Sequence, residues 1–199
     1  MKEQQLKELI LQSLEHEMGG VTVYETAVEC AVHDDLREEW EKYLDQTRNH
    51  VQILREICDA MQIDSEEETT GRSVVRTVGA ALVDAMKLAS ERGNQDAAQL
   101  VACEAVVLAE TKDHLDWELL GKCAKKLKGP AAKALQQACE QVEDEEDEHL
   151  YHTKGWCREL WVQSLGMPAV LPPPEEEHHV KTAIGASRAE QASQRSRRR

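Results

Sequence analysis

The sequence predicts an all-α fold, an antiparallel four-helix bundle with an extra crossover helix and a disordered C-terminal tail. Strong helix formers (Glu, Ala, Leu, Lys and Gln) dominate its 199 residues, Phe is absent and β-branched runs are few. Turn and cap residues divide the chain into five long segments, four of which carry a stripe at alternating spacings of three and four, as one buried helical face requires.

The first helix is predicted from about Lys2 to Val32 and breaks at "HDD", where Asp34 or Asp35 is placed to cap the second, about 35–62. The polar run "IDSEEETTGRS" reads as a loop, with Ser73 capping a third segment that stops at Gly93-Asn94. A fourth helix is expected from about Gln95 to Leu127. "KGP" then closes it and opens a fifth, about 130–165, with Pro130 at the first helical position. Two short links and one long connection fit an up-down bundle in which the third segment crosses over.

Residues 1–167 are therefore expected as the helical domain and 168–199 as its appendage. "PAVLPPPEEEHH" reads as a stiff extended linker whose His178–His179 pair is solvated. The remainder, "VKTAIGASRAEQASQRSRRR", holds too little apolar surface to fold alone.

A net charge of −14 argues against a nucleic-acid surface on the body, since phosphate would be repelled, and points to cations or protein partners. Residues 175–199 reverse that balance, with six Lys/Arg against four Glu, so the tail is a candidate docking segment for an acidic partner. Oligomerisation with further copies is left open. No run of apolar residues approaches a membrane span, and the charged start carries no leader pattern, so a soluble, cytoplasmic protein is expected. Six singly spaced cysteines, with no Cys-x-x-Cys, read as apolar core residues in a reducing compartment.

Ionisable residues interrupt the stripes. Helix one gives Ile10, Leu14, Glu17, Val21, Tyr24, Val28 and Ala31; helix two gives Leu36, Trp40, Tyr43, Thr47, His50, Leu54, Ile57 and Met61. In the fourth helix a stripe through Leu100, Cys103, Val107, Glu110, His114 and Trp117 competes with one through Val101, Leu108, Leu115 and Leu119. The fifth gives Leu135, Ala138, Val142, Glu145, His149, His152 and Trp156, with Glu146 flanking. In "EDEEDEHLYHTKGW", His149 and one of Glu145 and Glu146 must then face inward, leaving Glu143, Asp144, Asp147 and Glu148 mostly wet.

Bare carboxylates and imidazoles inside a bundle cost several kcal/mol each, so several of them on different helices call for a shared partner, and a cation is the economical one. Glu146-x-x-His149 puts a carboxylate and an imidazole on one face, one turn apart. A spacing of 33 residues separates both Glu17 from His50 and Asp116 from His149, so the two hairpins read as loose repeats. The bland alternatives stand beside this reading: Glu17 snorkels, His50 bonds to Thr47 or Tyr24, and Asp116 is surface.

On "YLDQTRNHVQILREICDAM", "KDHLDWELLG" and "EDEEDEH", residues 7–160 resemble the ferritin-like superfamily, and most closely its bacterial YciF-like stress-protein branch. The resemblance implies a dinuclear iron or manganese site, with one carboxylate from each of two helices and a Glu-x-x-His from each of the other two. Glu17 would be the lone carboxylate of helix one, His50 the imidazole of helix two, and Glu146 with His149 the complete pair. Glu110, Asp113 and Asp116 compete for the remaining carboxylate, with Glu110 preferred and Asp113 second. Thr47 stands where the general motif has a bridging glutamate.

Three functions follow as expectations, and whether the protein is an enzyme stays open among them. One is a metal-binding protein acting on oxygen or peroxide in stress protection. Another is a non-catalytic scaffold working through its surface and tail. The last is a mononuclear site of Glu17, His50, Glu146 and His149.

Overall fold

The computed structural model describes residues 2–197, and every regular element among them is helical. Helix α1 spans Glu3–Cys30, α2 Asp34–Met61, α3 Thr70–Arg92, α4 Gln95–Ala124 and α5 Pro130–Ser164. Two short helices follow, α6 (Pro174–Glu177) and α7 (Ala183–Ser196). Among the described residues no helix is long and apolar enough to cross a membrane.

Helices α1, α2, α5 and α4 pack in a ring, each against two neighbours, and α3 lies outside against α1 and α4. That is the crossover arrangement expected from the long α2-to-α4 connection. The caps differ in detail. Thr69, not Ser73, caps α3 by accepting from the Arg72 amide at 3.1 Å, which starts the helix one turn earlier. Asp34 and Asp35 fall inside the first turn of α2, where they face the positive end of its dipole, and make no side-chain cap. Asn94 caps α4 through the Ala97 amide at 2.8 Å. Gly129, at φ 85°, takes the left-handed turn that a side chain would resist, and so lets α5 start at Pro130.

A buried ion pair fixes α3 to α1: Arg72 and Arg76 both close on Glu15, at 2.8 and 2.6 Å. Of the two α1 glycines, Gly20 serves close approach. A Cβ on Gly20 would stand 3.3 Å from Thr47 Cγ2 of α2, and one on Gly79 of α3 would stand 3.8 Å from the Gly19 Cα.

The tail departs from expectation over its described part. Residues 168–197 do not stand off as a disordered segment but fold back along α5, held by charged groups together with the buried Val180 and Ala189. Arg158 grips Glu175 with two parallel bonds of 2.6 and 2.8 Å. Glu159, fully buried, accepts from Ser193 Oγ at 2.7 Å, from the Val170 amide at 3.0 Å and from Arg197. Trp156 Nε1 donates to Glu176. Gly155 makes room, since a Cβ there would meet Glu175 Oε2 at 2.7 Å. Composition predicts disorder because it counts apolar residues, and these anchors are ionic. His178 and His179 are exposed, as read. Residues 198 and 199 lie outside the described residues.

All six cysteines are free; Cys30, Cys58 and Cys103 are buried, while Cys123, Cys139 and Cys157 are only half-buried. The apolar interior is split in two. One cluster gathers around Tyr24, Trp40, Tyr43 and Trp156, the other around Ile10, Leu54, Leu120 and Leu135. Between them lies a polar layer.

Candidate metal centre

That layer is built by the four ring helices. Glu17 from α1, His50 from α2, Glu110 and Asp113 from α4, and Glu146 and His149 from α5 are all at least 95% buried. Of the two α4 stripes, the structure takes the one through Cys103, Glu110 and Trp117, and leaves Leu108 and Leu115 exposed. On α5 the flanking residue and the stripe residue exchange places: Glu146 is in the core and Glu145 at its edge. Glu145 and Glu146, four and three residues before His149, both lie on its side of the helix, and the rotation of α5 in the bundle turns Glu146 inward.

Potential ligand atoms gather in two groups within 4.8 Å: Glu17, His50 and Glu146, and Glu110, Glu146 and His149. Glu146 belongs to both. His50 Nδ1 lies 3.4 Å from Glu17 Oε1 and 3.0 Å from Glu146 Oε1. Across the layer, His149 Nδ1 lies 3.6 Å from Glu110 Oε2 and 3.5 Å from Glu146 Oε1. The rings of His50 and His149 stack 5.9 Å apart.

Each of four groups is held from behind by another side chain. His50 Nε2 donates to Glu145 Oε2 at 2.8 Å, and His149 Nε2 to Gln46 Oε1 at 3.0 Å. Trp117 Nε1 donates to Glu17 Oε1, and the Tyr24 hydroxyl to Glu110 Oε1, both at 2.8 Å. This fixes both imidazoles with Nε2 outward and Nδ1 inward, the orientation that a supporting hydrogen bond gives a metal-binding histidine.

The inward atoms are left over. Glu17 Oε2, Glu110 Oε2, Asp113 Oδ1, both Glu146 oxygens and both Nδ1 atoms are buried with no hydrogen-bond partner of good geometry among the described residues. Each such group costs about 1–3 kcal/mol, more if charged, and a bound cation would relieve that cost.

Charge points the same way. Burial would lower the His50 pKa, but the Glu17 charge, the hydrogen bond to Glu145 and the close approach of the Glu146 and Glu17 carboxylates push it up to about 12. That direction favours a charged imidazole among the buried carboxylates. Burial, then the Glu110 charge, raises Glu146 above the usual carboxylate range. Asp113 lies well above that range through burial and the charges of Glu146, Glu17 and Glu110. For Glu17, burial is outweighed by His50, which holds it low.

Of the three α4 carboxylates, Glu110 joins a triad and Asp113 lies beside the cluster in neither. Asp116 instead bonds to Lys112 at 2.5 Å, so the 33-residue repeat does not extend to this site. His50 bonds to neither Thr47 nor Tyr24. The supporting roles of Tyr24, Gln46, Trp117 and Glu145 were not read from the sequence; Tyr24, Trp117 and Glu145 do fall on its stripes. Comparison of the chain with protein-family models, curated proteins and solved structures gives no match.

Proposed function

We propose that this is a ferritin-like metalloprotein that holds two iron or manganese ions side by side in its bundle and acts on oxygen or peroxide, in stress protection. The observation that carries the reading is the sharing of Glu146, with both its oxygens unpartnered, between two buried triads on four helices. A carboxylate common to two triads is what a pair of cations needs in place of the missing glutamate at Thr47. Imidazole nitrogen with carboxylate oxygen suits iron, manganese or zinc, and the absence of thiolate from both triads disfavours softer ions. The four buried carboxylates Glu17, Glu110, Asp113 and Glu146 carry the charge that two divalent ions would balance.

In this reading Glu17 and His50 would hold one ion, Glu110 and His149 the other, and Glu146 would contribute to both. Bound iron or manganese would supply the electrons for reducing oxygen or peroxide. The chain's part is to fix the ligands through Trp117, Tyr24, Glu145 and Gln46, to give up the His50 proton, and to keep bulk water out with the apolar clusters on either side.

Elemental analysis of untagged protein tests this. About two iron or manganese per chain is expected, lost in a His50→Ala, His149→Ala double variant. A metal content near zero after expression in iron-rich medium overturns it. A mononuclear site would give about one. A second reading, a scaffold acting through protein contacts, is favoured by the exposed leucines on α4, Leu108, Leu115 and Leu119.

A further inference from the structure

A cavity of about 300 Å³ opens between α4 and α5, and its inner wall is Glu146. Glu140 and Glu143 stand in the same cavity, and with Glu146 they follow one another at intervals of three residues along α5. Their exposure falls along the line: Glu140 and Glu143 face solvent, and Glu146 is 1% exposed with both oxygens unpartnered. From α4, Glu118 and His114 face the same space. Lys122, paired with Glu118, and Lys125 also line it, so the four carboxylates Glu118, Glu140, Glu143 and Glu146 face two ammonium groups.

We infer that this α4–α5 cleft is the route by which divalent cations reach the centre, with Glu140 and Glu143 as transfer ligands that hand the ion to Glu146. The inference rests on the proposed metal centre and adds its means of loading. A cation entering a buried site must shed water in steps, and carboxylates spaced one helical turn apart replace that water one oxygen at a time. Acidic walls also raise the local cation concentration and the rate of entry. Gly121 lines the cleft opposite Cys139, where a Cβ would stand at an ordinary 4.0 Å from Cys139 Sγ. A longer side chain at this position projects into the passage.

The test is stopped-flow loading of metal-free protein with Co(II), followed by its d–d absorption, with the endpoint taken by elemental analysis. The Glu140→Gln, Glu143→Gln variant is expected to load about tenfold more slowly at low salt and to reach the wild-type endpoint. Salt should slow the wild type and leave this variant nearly unchanged. Gly121→Leu should slow loading at every salt concentration. Glu29→Gln, Glu91→Gln, which removes the same charge from exposed positions outside the cleft, should load as wild type. Equal rates in all variants overturn the route and leave the centre standing. A lower endpoint in the Glu140/Glu143 variant also overturns it, because those residues would then belong to an equilibrium site. No Co(II) bound by the wild type removes the centre, and the route with it.

Discussion

Glu146 is the residue on which the polar layer turns, and its two unpartnered oxygens give opposite expectations for the loaded and the metal-free protein. Among the described residues it is the side chain common to both triads. Glu146→Gln keeps the volume and removes the charge that would bridge the proposed ions. Metal content should therefore fall from about two per chain to below one, whereas Glu110→Gln should cost about one. The metal-free protein should respond the other way. Burial and the Glu110 charge raise the Glu146 pKa, so ionising it at neutral pH costs folding energy, and an amide relieves that cost. Urea unfolding at neutral pH should show metal-free Glu146→Gln more stable than metal-free wild type by on the order of 1 kcal/mol. A residue that merely filled the core would move metal content and metal-free stability in the same direction.

At the scale of the helix, the paired glycines of α1 and the segment 168–197, a strap along α5, behave differently from what their composition suggests. Gly19 and Gly20 weaken α1, but only Gly20 is needed for close contact, because a Cβ at Gly19 would meet nothing within 4 Å. Gly19→Ala should thus stabilise the protein by about 0.5–1 kcal/mol in urea unfolding, from helix propensity alone. Gly20→Ala must push Thr47 aside and should gain less. On the strap, the Glu176 pKa is pushed up to about 7, first by burial, then by the Glu39 charge; Asp35 adds to the rise, while Trp156 and His152 oppose it. A carboxyl raised from 4.5 contributes stability that is fully present below about pH 4.5 and is lost as pH rises through about 7. Glu176→Gln keeps an acceptor for Trp156 Nε1 and has no charge to lose. Its melting temperature should exceed that of the wild type above pH 7, and the gap should close towards pH 5. An equal gap at both pH values would exclude Glu176 ionisation as the cause.

In the whole molecule, two apolar clusters enclose a layer of charge, and this division also separates what the sequence reveals from what it hides. Helix number in the bundle, the crossover and the inward Glu17, His50 and His149 follow from periodicity, because one buried face leaves a repeat that residue types alone record. The choice of Glu146 over Glu145, and of one α4 stripe over the other, depends on helix rotation by a fraction of a turn, which a Glu-rich or Leu-rich run does not encode. The strap is hidden for another reason: Arg158–Glu175 and Glu159–Ser193 join residues on separate elements, and no local pattern marks such pairs. The layer itself sets the stability of the molecule. Without metal it holds several buried groups with no partner, so the proposed ions should act as part of the fold as well as of the site. A ligand that binds only the folded state at about 1,000 times its dissociation constant adds about 4 kcal/mol. For a chain of this size that corresponds to a rise in melting temperature on the order of 10 °C. Calorimetry with excess Mn(II) should show this rise in the wild type and no rise in the His50→Ala, His149→Ala variant. Arg158→Ala, which loosens the strap far from the triads, should melt lower and yet show the same rise. If the strap variant lost the rise, the C-terminal segment would be part of the machinery that forms the centre. If the wild type showed none, the unpartnered atoms would be a cost that the bundle bears without metal.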